Sequence, residues 1–153
     1  METLQKNSVP PTPSISDFGD LQGLRQILSD FYNRVFQDPM IGYLFREQNQ
    51  ERLIEKEVEW TAKALGVEIK YTGRPLAKAH QSHPIRRGHF HRRNYLLKET
   101  LIEHQLSESV ITWWMHHSQS LEKAILGRAQ TDQRCEQTAD GSGGESLTLW
   151  RKV

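Results

Sequence analysis

At 153 residues and 17.8 kDa, the chain has room for one domain with short appendages and a core large enough to enclose a small molecule. It is 36% hydrophobic and 25% charged with a mean hydropathy of −0.69, and no run approaches the roughly 18–20 apolar residues of a membrane span. Twenty Lys and Arg against nineteen Asp and Glu give a net charge of +1, which offers no general attraction for nucleic acid or anionic lipid, and the single cysteine excludes an internal disulfide or a cluster held by several thiolates.

Residues 1–14 are polar and contain Pro10, Pro11 and Pro13, a composition that buries too little apolar surface to order itself. They are expected to be a flexible arm, and without an apolar signal core they point to a reducing, cytoplasmic location. From about residue 17 the pattern is helical. Leu24, Ile27, Leu28, Phe31 and Val35 recur on one helical face that ends near Asp38-Pro39, because proline disfavours helical geometry in the residue before it. Pro39 is expected to open a short helix from Met40 to about Leu44.

Asn49 is a fitting cap for the next helix, whose stripe is Leu53, Ile54, Val58, Trp60, Ala64 and Leu65 and which Gly66 stops. Val67-Glu68-Ile69 is too short a run to build a sheet. After Tyr71-Thr72-Gly73-Arg74, Pro75 starts a short helix that His83-Pro84 terminates, with His80 one turn after Leu76 on the same face. A helix over about 87–104 buries Phe90, Leu97 and Leu101, and Arg93 and Asn94 sit where that stripe crosses. Ser107 caps a last helix with Val110, Ile111, Trp114, Leu121 and Ile125 on its face. The fold class is all-α with about six helices over 15–126, and residues 127–153, centred on Gly141-Ser142-Gly143-Gly144, are expected to be a disordered tail holding Cys135 and Trp150.

Seven histidines are the first hint of chemistry. His89 and His91 are two apart and His116 and His117 adjacent, so neither pair projects onto one helical face, and no HExxH is present. Most of these histidines read as solvated or as caps of a carbonyl. His80 lies on an apolar face, where a hydrogen-bonded core histidine and a ligand are both open readings. Tyr32 beside Phe31 is either a core tyrosine or a hydroxyl aimed into a cavity. Glu57 and Arg93 lie on the apolar stripes of two different helices with opposite charge, which suggests a facing pair, although both side chains reaching to solvent is the equal rival. The basic run Arg86-Arg87 and Arg92-Arg93 has few interleaved aromatics and reads as a solvated face.

The order FYNRVFQDPMIGYLF, ERLIEKEVEWTAKALG, YTGRPLAKAH and then HF resembles the truncated haemoglobins, the short two-over-two globins of bacteria, over about residues 17–126. The resemblance implies a haem cofactor and a globin-like, shortened two-over-two helical sandwich around it. The family's proximal histidine, seven residues after the glycine of YTG, falls on His80, which the resemblance makes the metal ligand. Its ligand-binding tyrosine falls on Tyr32 and its haem-wedging phenylalanine on Phe45. Its two distal positions fall on Leu53 and Glu57, its propionate-binding basic residue on Lys56, and Tyr71 and Arg74 fall near the same haem edge. The chain departs from the pattern in its glycine turns, FGDLQG and LGVEIK, and in having Arg93 where two subgroups place a tryptophan, so it resembles a divergent member nearest the first subgroup.

What the resemblance implies is a cytoplasmic haem protein that binds dioxygen, carbon monoxide or nitric oxide reversibly at iron, as in oxygen transport. Two rivals stay open. One is an enzyme, a nitric oxide dioxygenase or a peroxidase-like activity, needing an external reductase because the chain has no reductase domain. The other is a haem-free helical interaction module.

Overall fold

The computed structural model describes residues 8–81 and 83–126, so half of the expected arm and all of the expected tail lie outside the described residues. The chain enters through a 3-10 turn, Ile15–Phe18, capped reciprocally: the Ser14 hydroxyl accepts from the Ser16 amide at 3.4 Å, and the Asp17 carboxylate accepts from the Ser14 amide at 2.8 Å. Gly23 then lets this turn lie against the first helix. A Cβ there would sit 2.0 Å from the Phe18 carbonyl oxygen, so the glycine of FGDLQG is needed for close backbone approach.

Helix α1 covers Asp20–Gln37 and buries Leu24, Ile27, Leu28, Phe31, Tyr32 and Val35. It stops at Asp38, as the following proline requires. The helix expected from Met40 is instead a 3-10 turn at Gly42–Phe45. The cause is Asp38, whose Oδ1 accepts from the amides of Met40 at 2.9 Å and Ile41 at 3.1 Å. A side chain that takes those amides makes a tight turn there and delays helical winding.

The other oxygen of Asp38 accepts from Arg92 Nη2 at 2.7 Å and Nε at 3.1 Å. This fork from Arg92, together with the backbone amides, outweighs burial and holds the Asp38 carboxyl below the usual carboxylate range. Its stabilising effect is therefore complete above the unfolded-state value of about 4 and is lost as pH falls through the lower folded value. Asp38→Asn is expected to lower stability at pH 7 by about 1–2 kcal/mol, the scale of a lost capping carboxylate. The gap between variant and parent should stay constant from pH 7 to 5 and close below pH 4 in urea melts; a gap that widened on acidification would contradict this.

Helix α2, Gln50–Ala64, begins at Asn49, whose side chain accepts from the Arg52 amide at 2.9 Å. It buries Ile54, Val58, Thr61 and Ala62 against α1 and ends before Gly66. Helix α3 is one short turn, Leu76–His80, ending before His83. Helix α4 spans Arg87–Glu103 and buries Phe90, Asn94, Leu97 and Leu101. Ser107 caps α5, Glu108–Ser120, which seats Trp114 in the core edge-on to Phe18 at 5.4 Å between ring centroids.

The last helix does not continue to Ile125 as one rod. It breaks at Leu121 and resumes as α6, Glu122–Leu126. The Ser120 hydroxyl donates to the His117 carbonyl at 2.6 Å, a local bond that competes with the helical ladder and favours a bend. Helices α1 and α2 form one packed pair and α4 and α5 the other, with α1 against α4, while α6 packs on α3. The result is a two-over-two helical sandwich with no strand among the described residues.

Candidate functional site

Between the two pairs lies a cavity of about 700 Å³, within the usual range for a site that holds a small organic molecule. Tyr32, Phe45, Leu53, Lys56, Glu57, Tyr71, His80 and Arg93 all line it. Aromatic and aliphatic side chains, among them Trp60, Phe90, Trp114, Leu121 and Ile125, supply most of the wall between them.

One end of the cavity carries His80. Its Nδ1 lies 2.7 Å from the carbonyl oxygen of Leu76, one turn earlier in α3. That contact places the ring proton on Nδ1 and leaves the Nε2 lone pair uncommitted, the tautomer a nitrogen ligand needs. Burial pushes the imidazole's pKa down, against the opposing effect of the Leu76 carbonyl, so the ring is neutral at pH 7.

The other side is polar. Tyr32 Oη donates to Glu57 Oε2 at 3.2 Å, and Arg93 Nη2 donates to Glu57 Oε1 at 3.0 Å. The expected facing of Glu57 and Arg93 is thus present, with the two side chains 23% and 18% exposed. The guanidinium lies over the Phe31 ring at 5.0 Å and has longer contacts to Ser118 Oγ at 3.4 Å and Asn94 Oδ1 at 3.5 Å. Burial and then the Glu57 charge push the Tyr32 phenol's pKa upward, so it stays protonated. Its proton is directed at Glu57, not at the open cavity.

The rim is built by the loop after α2. Glu59 accepts from the Thr72 amide at 2.8 Å and the Thr72 hydroxyl at 2.9 Å. Lys56 donates to Glu59 at 3.3 Å and also bonds the Thr72 hydroxyl. This anchor sets Tyr71 edge-on to Trp60 at 5.2 Å, and the Tyr71 hydroxyl donates to the Arg74 carbonyl at 3.0 Å. Gly73 leaves room for that ring: a Cβ there would meet the Tyr71 hydroxyl at 2.2 Å and push the side chain aside. Arg52 and Arg74 also line the cavity, and neither pairs with a carboxylate among the described residues.

Three histidines read from the sequence as solvated or capping also line the cavity: His83, His89 and His117. His89 contacts the Tyr43 hydroxyl at 3.2 Å, and its Nδ1 accepts from the Arg86 amide at 3.1 Å, so it caps a backbone amide and not the expected carbonyl. His117 stacks on Trp113 at 5.2 Å with the rings nearly parallel. Its Nε2 is buried without a hydrogen-bond partner among the described residues, as is Trp60 Nε1. The signal for His117 was its place three residues after Trp114 and four before Leu121, on the apolar stripe of α5.

A flat, apolar macrocycle with an iron centre and two carboxylates fits this site on the residues themselves. The walls are greasy, one neutral imidazole offers a free Nε2, and three cations, Arg52, Lys56 and Arg74, line the cavity. Two buried ring nitrogens on the wall have no partner among the described residues.

Residues 16–127 match the model of a protein family described as bacterial-like globin. The group 1 truncated haemoglobin GlbN of Mycolicibacterium paratuberculosis is 35% identical over 80 residues; the match spans 52% of this chain and only 59% of that relative's length. Among solved structures, a ferric truncated haemoglobin of Tetrahymena pyriformis superposes with a TM-score of 0.69 at 19% identity, covering 74% of this chain and 97% of its own. The 2/2 haemoglobin of Synechococcus, in the cyanomet state with covalently attached haem, gives 0.69 at 20% identity over 74% of this chain and 98% of its own. Chlamydomonas reinhardtii THB1 gives 0.64 at 23% identity over 76% and 99%.

Proposed function

Since the chain belongs to the bacterial-like globin family, has the two-over-two fold of the truncated haemoglobins, and so takes haem as its cofactor, we propose that it binds dioxygen and other diatomic gases reversibly, with His80 as the iron's only protein ligand on its side of the haem. The observation that carries this reading is a neutral imidazole with its Nε2 uncommitted, facing a cavity of about 700 Å³. Haem, when bound, would supply an iron that can take a small ligand.

The chain's own residues do the rest. Leu76 fixes the imidazole tautomer through its carbonyl. Phe45, Leu53, Trp60 and Phe90 exclude water from the flat faces of the ring system. Arg52, Lys56 and Arg74 are placed to meet its two carboxylates. Arg93 keeps N–H groups for a polarised ligand, since its contacts to Ser118 and Asn94 are long.

The purified protein is expected to be red and, after reduction, to show a Soret band that shifts under carbon monoxide and shifts back when the gas is removed. A colourless protein that takes up no added haem would overturn the proposal and leave a helical interaction module. Nitric oxide turnover, with and without an external reductant, separates gas binding from the enzymatic readings. Reversible binding predicts no sustained consumption.

A further inference from the structure

We propose that the pocket takes small weak acids of the type H–X, such as hydrogen sulfide, as neutral molecules, and that Glu57 is the base that receives their proton. The proposal rests on the haem reading above and adds to it the chemical class of ligand and the residue that selects it.

The geometry points to this because the polar side of the cavity is dominated by an acceptor. Tyr32 and Arg93 each donate to one oxygen of Glu57. A carboxylate offers about four acceptor positions, so on that count the two donors leave lone pairs unused at a group that lines the cavity. A ligand without a proton takes its hydrogen bonds from Arg93 and gains nothing from those lone pairs. A ligand that arrives as H–X meets them as a hydrogen-bond acceptor and then as a base.

The step balances within the pocket. The H–X bond breaks heterolytically, its electron pair stays on X and is available to the haem iron, and the proton forms an O–H bond on Glu57. Before the step Arg93 is balanced by the Glu57 carboxylate; after it, X⁻ is the counter-anion and Glu57 is neutral. The net charge enclosed is unchanged, which avoids the penalty of bringing a bare anion into a largely desolvated site. The new carboxylic acid then has an O–H to donate to X⁻, and Arg93 has N–H groups freed by the loss of its carboxylate partner.

The other ionisable groups close enough to influence this chemistry are Tyr32 on α1, Tyr71 in the rim loop, His80 on α3, Arg93 on α4 and His117 on α5. Tyr32 is already protonated and Arg93 permanently so. His117 is a competing base, because its Nε2 is buried and unpartnered among the described residues, and the test separates it from Glu57.

Cyanide serves as the probe. Ferric haem-loaded protein is mixed with cyanide at pH 7, where the ligand is HCN, and protons released to a weakly buffered medium are counted. The parent is expected to release close to none, because the proton is retained. Glu57→Gln should release about one per cyanide bound and bind on the order of 10²-fold more slowly, while His117→Phe, which lacks the competing base, should still release close to none. On the parent alone, the infrared difference spectrum should gain a protonated-carboxyl band that shifts in heavy water, which keeps the test decisive if Glu57→Gln fails to fold. Release of a full proton by the parent, equal release by parent and Glu57→Gln, or no carboxyl band would overturn the proposal while leaving haem binding intact. A chain that takes up no haem would instead overturn the reading beneath it.

Discussion

His80→Ala is expected to abolish stable haem retention while leaving an intact helical apoprotein. The fold should survive because α3 buries no residue completely and the His80 side chain makes its hydrogen bond, to Leu76, within its own helix. The cofactor should not survive, because the remaining contacts are apolar walls and rim cations that hold a flat anionic ring but do not bond its iron. Loss of a group that merely orients a metal ligand costs roughly 10–100-fold in metal affinity, and loss of the ligand itself should exceed that. Haem transfer to an acceptor protein is the measurement, with His83→Ala and His89→Ala as controls expected to stay near the parent rate. Added imidazole should restore part of the spectrum of His80→Ala. Full retention of haem by His80→Ala would remove this residue from the metal site.

The second large effect concerns Glu57 and Arg93. Removing one member of a fully buried ion pair costs about 3–5 kcal/mol, whereas replacing both members is often neutral. These side chains are 23% and 18% exposed, so solvent screens part of the interaction and about 2–3 kcal/mol is the better expectation for each single change. Glu57→Gln should cost less than Arg93→Met, because the amide oxygen still accepts from one of the two donors, while Arg93→Met leaves an uncompensated carboxylate beside a phenol. The double variant should be more stable than the sum of the singles by at least about 1 kcal/mol, the coupling expected of residues in direct contact. Urea melts of the four proteins at one pH give the cycle. Additive losses would mean that the pair contributes nothing as a pair.

Both partners of that pair were visible in the sequence because each broke an apolar stripe that was otherwise regular. Helical periodicity likewise marked the buried faces of α1 and α4, and Asn49 and Ser107 marked two helix starts. What periodicity cannot carry is a direction inside the core. Tyr32 was a candidate donor to a cavity, yet its proton goes to Glu57, 25 residues away in sequence. The bond from Arg92 to Asp38 spans 54 residues, and the other oxygen of that carboxylate makes the tight turn that replaces the expected helix after Pro39.

His117 is hidden in the sequence because His116 beside it makes the two an adjacent pair that shares no helical face, whereas its place on the stripe of α5 turns it inward. The break at Leu121 was missed for a different reason. The residue that favours it, Ser120, acts through one hydroxyl bond to a backbone carbonyl, and an exposed serine in a helix ordinarily says nothing about curvature.

The bend at Leu121 also imposes an order of events on a growing chain. Helix α3 has five residues, far below the roughly 12–15 at which an isolated helix becomes marginally stable in water, so it depends on what packs over it. Its packing partner is α6, the last described stretch of the sequence. Synthesis runs from the N-terminus, so α1, α2 and α4 can assemble while the segment bearing His80 still waits for its cover. The iron-binding end of the pocket is thus among the last parts to be completed, and a nascent chain stalled before residue 122 would present the greasy wall without a fixed imidazole.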